Sequence, residues 1–139
     1  MSSLQAFFAQ NVRNDIVEEF VVSDRFKDEN GKPIAWKIRA LTEEENETLR
    51  KEATDRVKVK GGYTYETKPE VYIAKVVVAS VVYPDLKNAE LQASYGVMGA
   101  EALLKKMLLP GEYAALVNKV QEVNGYDKSL DELADEVKN

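Results

Sequence analysis

The chain has 139 residues, of which 45% are hydrophobic and 31% charged, and its formal net charge at pH 7 is −5. This composition is that of a globular protein and excludes a wholly disordered chain. The sequence contains neither cysteine nor histidine, which excludes a disulfide framework, a zinc-thiolate site and any Ser-His-Asp or Cys-His catalytic arrangement.

The first predicted element is a short helix near the N-terminus. Ser3 can cap a helix over residues 4–10, which carries Phe7 and Phe8 toward the core or toward a partner. This segment lacks the basic start and the long apolar run of a signal peptide. No run in the chain approaches the roughly 20 apolar residues that span a bilayer. We therefore expect a soluble, cytoplasmic protein that does not bind a membrane.

Two β-hairpins are predicted in the first half of the chain. Residues 16–22 and 34–41 are rich in β-branched and aromatic side chains, and a turn-rich connection joins these two strands. Trp36 lies on the apolar face of the second strand and is expected in the core. A further hairpin is predicted to turn at Gly61-Gly62, because paired glycines tolerate positive φ in a tight turn. A mobile loop is the alternative for that segment.

Two longer helices are predicted next. Thr42 and Glu45 form a capping box, which predicts a helix that runs to about Arg56. Pro69 suits the first turn of a helix that runs to about Tyr83. The many valines of this second segment also suit a strand, but its length and its flanking prolines favour a buried helix.

Four further helices are predicted in the last third. Three of them span residues 88–95, 97–108 and 111–124. The third is followed by Gly125, which is expected to adopt positive φ as the residue just past the helix end. The fourth begins at Ser129, and its apolar stripe consists of Leu130, Leu133, Ala134 and Val137. The chain is thus predicted to be a single α+β domain over residues 1–139, with N-terminal β-hairpins packed against a predominantly helical C-terminal half and with 126–139 as a loosely docked helix.

No constellation of side chains predicts catalysis, a cofactor or a metal site. The densest carboxylates are Glu43, Glu44, Glu45 and Glu47. Consecutive helical residues point to different sides, so this cluster is interpreted as an acidic first turn that suits the helix dipole. Neither of the two common glycine-rich phosphate-binding motifs, G-x-x-x-x-G-K-[ST] and G-x-G-x-x-G, occurs in the sequence. We therefore expect no enzyme activity, no cofactor and no metal.

One basic and aromatic segment is the nearest approach to a nucleic-acid site. Tyr63 and Tyr65 are flanked by Lys58, Lys60 and Lys68, a mixture that can stack single-stranded bases. The chain is acidic overall and has no basic stripe that could neutralise a phosphate backbone. The segment is therefore interpreted as a hairpin face or a partner-binding tip, and nucleic acid is not expected as a ligand.

Three segments carry a resemblance to a known family: Phe20-Val-Val-Ser-Asp-Arg-Phe26, Trp36-Lys-Ile-Arg-Ala-Leu41, and the stretch from Leu91 to Gly125 that includes Pro110-Gly-Glu-Tyr113. Together they resemble the tail assembly chaperones of Bacillus-type phages and PBSX-like prophages, the XkdN-like family. The resemblance implies a non-enzymatic chaperone that binds the tape measure protein and helps to recruit tail tube protein around it. It also implies residence in the bacterial host cytoplasm and absence from the mature virion.

The resemblance supplies no binding residues, so the candidate contacts come from helix faces alone. They are Phe7, Phe8, Leu130, Leu133 and Val137. For each of them, packing on the chain's own core is the alternative. A small adaptor or regulatory domain that binds a different protein is the alternative function. The oligomeric state is left open by the sequence.

Overall fold

The computed structural model describes residues 3–13 and 15–126, and within these residues a small antiparallel sheet and a group of helices share one hydrophobic core. The strands are β1 (Val17–Phe20), β2 (Trp36–Arg39), β3 (Thr54–Val59), β4 (Gly62–Thr67) and β5 (Val81–Tyr83). The helices are α1 (Glu43–Glu52), α2 (Pro69–Ser80), α3 (Ala89–Ser94), α4 (Ala100–Met107) and α5 (Pro110–Val123). The predicted α+β class, with hairpins first and helices after them, is confirmed.

The central sheet has the strand order β1-β2-β5, and both pairings are antiparallel. β1 and β2 form the first predicted hairpin, in a register that places Phe20 opposite Trp36. Trp36 and Ile38 alternate with exposed Lys37, so the inner face of β2 points into the core. β3 and β4 form the second predicted hairpin as a separate two-stranded sheet.

The core is made where β2 meets the helices. The side chains of Trp36 and Ile38 are 2% and 0% exposed, and Phe26 packs against Trp36 with ring centroids 6.2 Å apart. The predicted core role of Trp36 is thereby confirmed. The cluster also contains apolar residues of α2, α4 and α5, which are Val77, Leu103, Leu104, Met107, Leu116, Val120 and Val123. Connecting segments contribute Val22, Leu86 and Leu108. This cluster holds the central sheet against the helices.

Two helices end earlier than predicted, because strand pairing takes over. α1 ends at Glu52 and not at Arg56, since Thr54 begins β3 and its hydroxyl donates to the Arg50 carbonyl at 2.7 Å. α2 ends at Ser80 and not at Tyr83, since residues 81–83 form β5 against β2. Both junctions are rich in β-branched residues, and the pairing partner supplies hydrogen bonds that the sequence alone does not reveal.

The predicted N-terminal helix over residues 4–10 is wrong. Gln5–Phe7 and Ala9–Asn11 form two short 3₁₀ turns instead, and no side chain caps the first of them. Ser3 is therefore not an N-cap. A single short segment does not recover the cost of nucleating an α-helix without packing, which favours separate turns.

The start and stop signals of the remaining helices are largely confirmed. The Thr42–Glu45 capping box is present, and Asn88 caps α3 by accepting from the Leu91 N–H at 2.9 Å. α4 begins three residues later than predicted, at Ala100, after Gly99 with φ of +103°. Pro110 is the first residue of α5. The helix predicted from Ser129 lies outside the described residues.

Gly125 adopts φ of +92° directly after α5, as predicted. We expect Gly125→Val to reduce the free energy of unfolding by about 1–2 kcal/mol, because a left-handed conformation is costly for a branched side chain. A Cβ at this position would meet no atom within 4 Å, so the effect comes from the backbone alone. Urea denaturation measures it. Gly111→Ala, inside α5 and without positive φ, should be neutral or stabilising, and an equal loss in both variants would contradict the assignment.

Candidate protein-interaction surfaces

Two motifs far apart in the sequence meet at the turn between α4 and α5. Arg25 Nε donates to Glu112 Oε2 at 3.0 Å, and Arg25 Nη2 donates to the Met107 carbonyl at 3.0 Å. Glu112 also accepts from the Leu109 N–H at 2.8 Å. Hydrogen bonds from Arg25, then Ser23, then the Leu109 backbone lower the pKa of Glu112 to about 2. The segment after β1 is thereby tied to the helical half, and both motifs have an architectural role.

This pairing gives stability a dependence on acidic pH. The pKa of Glu112 falls from its ordinary 4.5 when the protein folds, so the carboxylate stabilises the folded state above about pH 4.5 and loses that contribution as the pH falls toward 2. We expect the stability gap between the wild type and Glu112→Gln, measured by urea denaturation, to be constant near neutral pH and to close in acid. Glu47→Gln, which removes an exposed carboxylate with no ion pair among the described residues, is the control. A Glu112→Gln gap that is independent of pH would contradict the account.

A second ion pair ties the sheet to the helices. Arg39 Nη2 donates to Glu45 Oε2 at 2.8 Å, while Arg39 Nε donates to the Ala79 carbonyl at 3.1 Å. The hydrogen bond from Arg39 is the main reason that the pKa of Glu45 is lowered. Glu45 thus has a structural role within the acidic cluster at the start of α1. No group of three or more carboxylates with metal-site geometry occurs in the described part of the chain.

The N-terminal arm, residues 3–13, is exposed along its whole length. The side chain of Phe7 is 79% exposed and that of Phe8 is 42% exposed, and Leu4 and Val12 are exposed with them. One hydrogen bond within the arm runs from Asn11 Nδ2 to the Gln5 carbonyl at 2.8 Å. Two aromatic and two aliphatic side chains on a short exposed segment are typical of a protein-interaction surface.

A groove runs between α2 and α5 and ends at Tyr126, the last residue that the structure describes. It consists of two adjoining concavities of about 210 and 180 Å³ that share Tyr72, Val76, Gln121 and Tyr126. Its apolar part is further lined by Ile73, Val77, Val117 and Val120. The sequence analysis did not predict this groove. Each helix carries its own apolar spacing, but which helices face each other is decided by the tertiary fold.

The rim of the groove is held in place by one side-chain amide. Asn124 Oδ1 accepts from the Leu41 N–H at 2.6 Å, and Asn124 Nδ2 donates to buried Ser80 Oγ at 3.2 Å. The hydroxyl of Tyr72 donates to Asn46 Oδ1 on the opposite wall. The end of α5, the start of α1 and the end of α2 therefore form a fixed frame around the groove.

The candidate contacts from the sequence fall into two groups. Phe7 and Phe8 lie together on the exposed N-terminal arm and are not packed in the core. Leu130, Leu133 and Val137 lie outside the described residues. No helix of the described residues is both long enough and apolar enough to cross a membrane. The described residues thus present an exposed apolar arm, an apolar groove and the charged β3–β4 hairpin.

Comparison with known proteins identifies the family. The model of the phage XkdN-like tail assembly chaperone family matches residues 4–138, and the chain belongs to this family. The predicted family resemblance is therefore confirmed.

Two Bacillus subtilis (strain 168) proteins are similar in sequence. The uncharacterised protein YqbN is 35% identical over 123 residues, which cover 87% of this chain and 83% of YqbN. The XkdN protein of the phage-like element PBSX is 32% identical over 120 residues, which cover 85% of this chain and 81% of XkdN. The crystal structure of YqbN superposes with a TM-score of 0.77 at 27% identity and covers 91% of this chain and 99% of that chain.

Proposed function

We propose that this protein is a non-enzymatic chaperone of phage tail assembly that binds the tape measure protein and assists assembly of the tail tube protein around it. Family membership supports the role in tail assembly, and the PBSX relative supports a prophage setting. The chain's lack of histidine and cysteine supports a role without catalysis. The protein acts in the cytoplasm of the bacterial host and leaves before the virion is complete.

The observation that carries the binding proposal is the exposed N-terminal arm. Full burial of a phenylalanine side chain is worth about 1.5–3 kcal/mol, so Phe7 and Phe8 together supply a substantial part of a reversible interface. A helical, apolar partner matches this surface, because both would otherwise expose hydrophobic area to water. The net charge of −5 keeps the resulting complex soluble.

We propose a second contact through Leu130, Leu133 and Val137. Their spacing is that of an apolar helix stripe, and an apolar helix face commonly engages a groove or another helix. The groove between α2 and α5 is one candidate binding site for such a helix face, and a helix of the partner is the other. We also propose that residues 1–139 form one domain in which 126–139 is a loosely docked helix that is available to a partner.

Co-expression tests the proposal. Apolar helical fragments of the tape measure protein encoded by the same phage are expressed alone, with this protein, or with an unrelated acidic protein of similar size. We expect only this protein to raise the soluble fraction of the fragments and to co-purify with them. Fragments that stay insoluble with this protein, or become equally soluble with the unrelated one, would contradict the proposal.

A further inference from the structure

The β3–β4 hairpin has one face that is both basic and aromatic. The register places Arg56 opposite Tyr65 and Lys58 opposite Tyr63. Directly opposed residues of an antiparallel pair lie on the same face of the sheet, so these four side chains share one face. Arg56 stacks on the Tyr63 ring at 4.1 Å. All four residues are exposed, and Tyr65 is 74% exposed.

The same face continues into a concave surface beside the end of α1. An open depression of about 450 Å³ is lined by Tyr65 and Thr54 of the hairpin and by Glu47, Arg50 and Lys51 of the helix. The hydroxyls of Thr54 and Thr67 are hydrogen-bonded at 2.6 Å, and Thr54 also bonds to the Arg50 carbonyl. The hairpin root and the helix end are therefore one continuous frame, and we call this whole surface the basic–aromatic face.

The cations of this face are mostly free of internal partners. Lys51, Lys58 and Lys60 make no ion pair with any described residue. Asp55 pairs with Lys68 at 3.2 Å, and the register puts Asp55 opposite Glu66, on the other side of the hairpin. Although the net charge of the protein is −5, the β3–β4 hairpin and the adjoining end of α1 thus carry several positive charges that no described carboxylate neutralises.

We propose that the basic–aromatic face binds an acidic, amphipathic segment of a protein partner. Arg56 and Lys58 are two residues apart on β3, so their Cα atoms are separated by about 7 Å. This spacing matches two carboxylates at alternate positions of an extended segment, or two carboxylates one turn apart on a helix. The stacked guanidinium of Arg56 retains N–H groups for a carboxylate, and Tyr63 and Tyr65 offer ring surface to apolar side chains between the acids.

A protein segment fits this face better than nucleic acid does. Strong binding to a phosphate backbone needs many cations along its path. This face offers Lys51, Arg56, Lys58 and Lys60, while Arg50 is paired with Glu43 at 3.5 Å and Glu47 adds a negative charge. The remainder of the chain is acidic and repels a long polyanion. A short acidic peptide contacts only the basic–aromatic face and avoids that repulsion.

Fluorescence anisotropy with three labelled probes tests the proposal at low ionic strength. The probes are a peptide of repeated Glu-Glu-Leu-Ala, its Lys-Lys-Leu-Ala counterpart and oligo(dT). Arg56→Glu with Lys58→Glu reverses the charge of the face. Lys105→Glu with Lys106→Glu makes the same change in charge on exposed positions of α4 and is the matched control. Circular dichroism checks that all variants are folded.

We expect the acidic peptide to bind, the basic one not to bind, and the hairpin variant to lose at least about tenfold in affinity while the α4 variant loses less than about twofold. Physiological salt should weaken the wild-type complex. Failure of the acidic peptide to bind, equal losses in the two variants, or tighter binding of oligo(dT) than of the acidic peptide would each overturn the proposal.

Discussion

Trp36→Ala is expected to lower the free energy of unfolding by about 3–5 kcal/mol, a large part of the roughly 5–15 kcal/mol available to a domain of this kind. The indole is 2% exposed and lies in the cluster that joins β2 to the helices. Its removal leaves a cavity that Phe26 and the helical side chains fill only in part. Urea denaturation monitored by far-ultraviolet circular dichroism measures the change.

Tyr65→Ala is the matched control for that truncation, because it also removes an aromatic ring, here one that is 74% exposed. It should change stability by no more than about 0.5 kcal/mol. Equal effects of the two substitutions would mean that the sheet and the helices do not share the core described here.

Phe7→Asp is expected to weaken binding to tape measure fragments by at least about tenfold and up to roughly a hundredfold. The range corresponds to the loss of one buried phenylalanine, about 1.5–3 kcal/mol, and a newly desolvated carboxylate adds to it. The thermal unfolding midpoint should not change, because the side chain is 79% exposed in the free protein. Pull-down with tagged fragments, followed by titration, measures the loss.

Met98→Asp is the control for this substitution. It introduces the same charge at an apolar side chain that is 93% exposed but lies in the loop between α3 and α4 and is not part of the N-terminal arm. We expect it to retain both stability and binding. If Met98→Asp and Phe7→Asp weakened binding equally, the effect would come from added negative charge and not from the arm.

Much of the local structure was predictable because its signals lie close together in the sequence. The Thr42–Glu45 capping box, the Asn88 cap, Pro110 and Gly125 each act within a few residues, and each has the predicted geometry. The hairpin at Gly61-Gly62 was predictable for the same reason. These signals, with the alternation of apolar residues, were sufficient for the α+β class.

Apart from the N-terminal helix, the main errors and omissions depend on contacts that elements make with other parts of the chain. Val81 leaves the helical pattern because Ile38 offers it a strand partner 43 residues earlier in the chain. Arg25 and Glu112 belong to two separate sequence motifs, yet they bind each other across 87 residues. Neither partner carries a local mark of the other, so a single sequence cannot predict the pair.

The candidate site was predictable only in part. Phe7 and Phe8 stood out as apolar residues on a short terminal segment, although the helix expected there is replaced by two 3₁₀ turns. Tyr63 and Tyr65 were noted beside lysines, but only the register shows that they share a face with Arg56 and Lys58. The groove between α2 and α5 requires the packing of two helices and has no counterpart in the sequence pattern.

Isothermal titration calorimetry of this protein with a purified apolar helical segment of the tape measure protein from the same phage tests the central claim most directly. We expect a saturable, reversible complex whose binding heat capacity is negative, because the N-terminal arm and the partner bury apolar surface together. The Phe7→Asp variant should show a smaller heat-capacity change. The absence of a saturable complex would contradict the account, as would binding with no heat-capacity change.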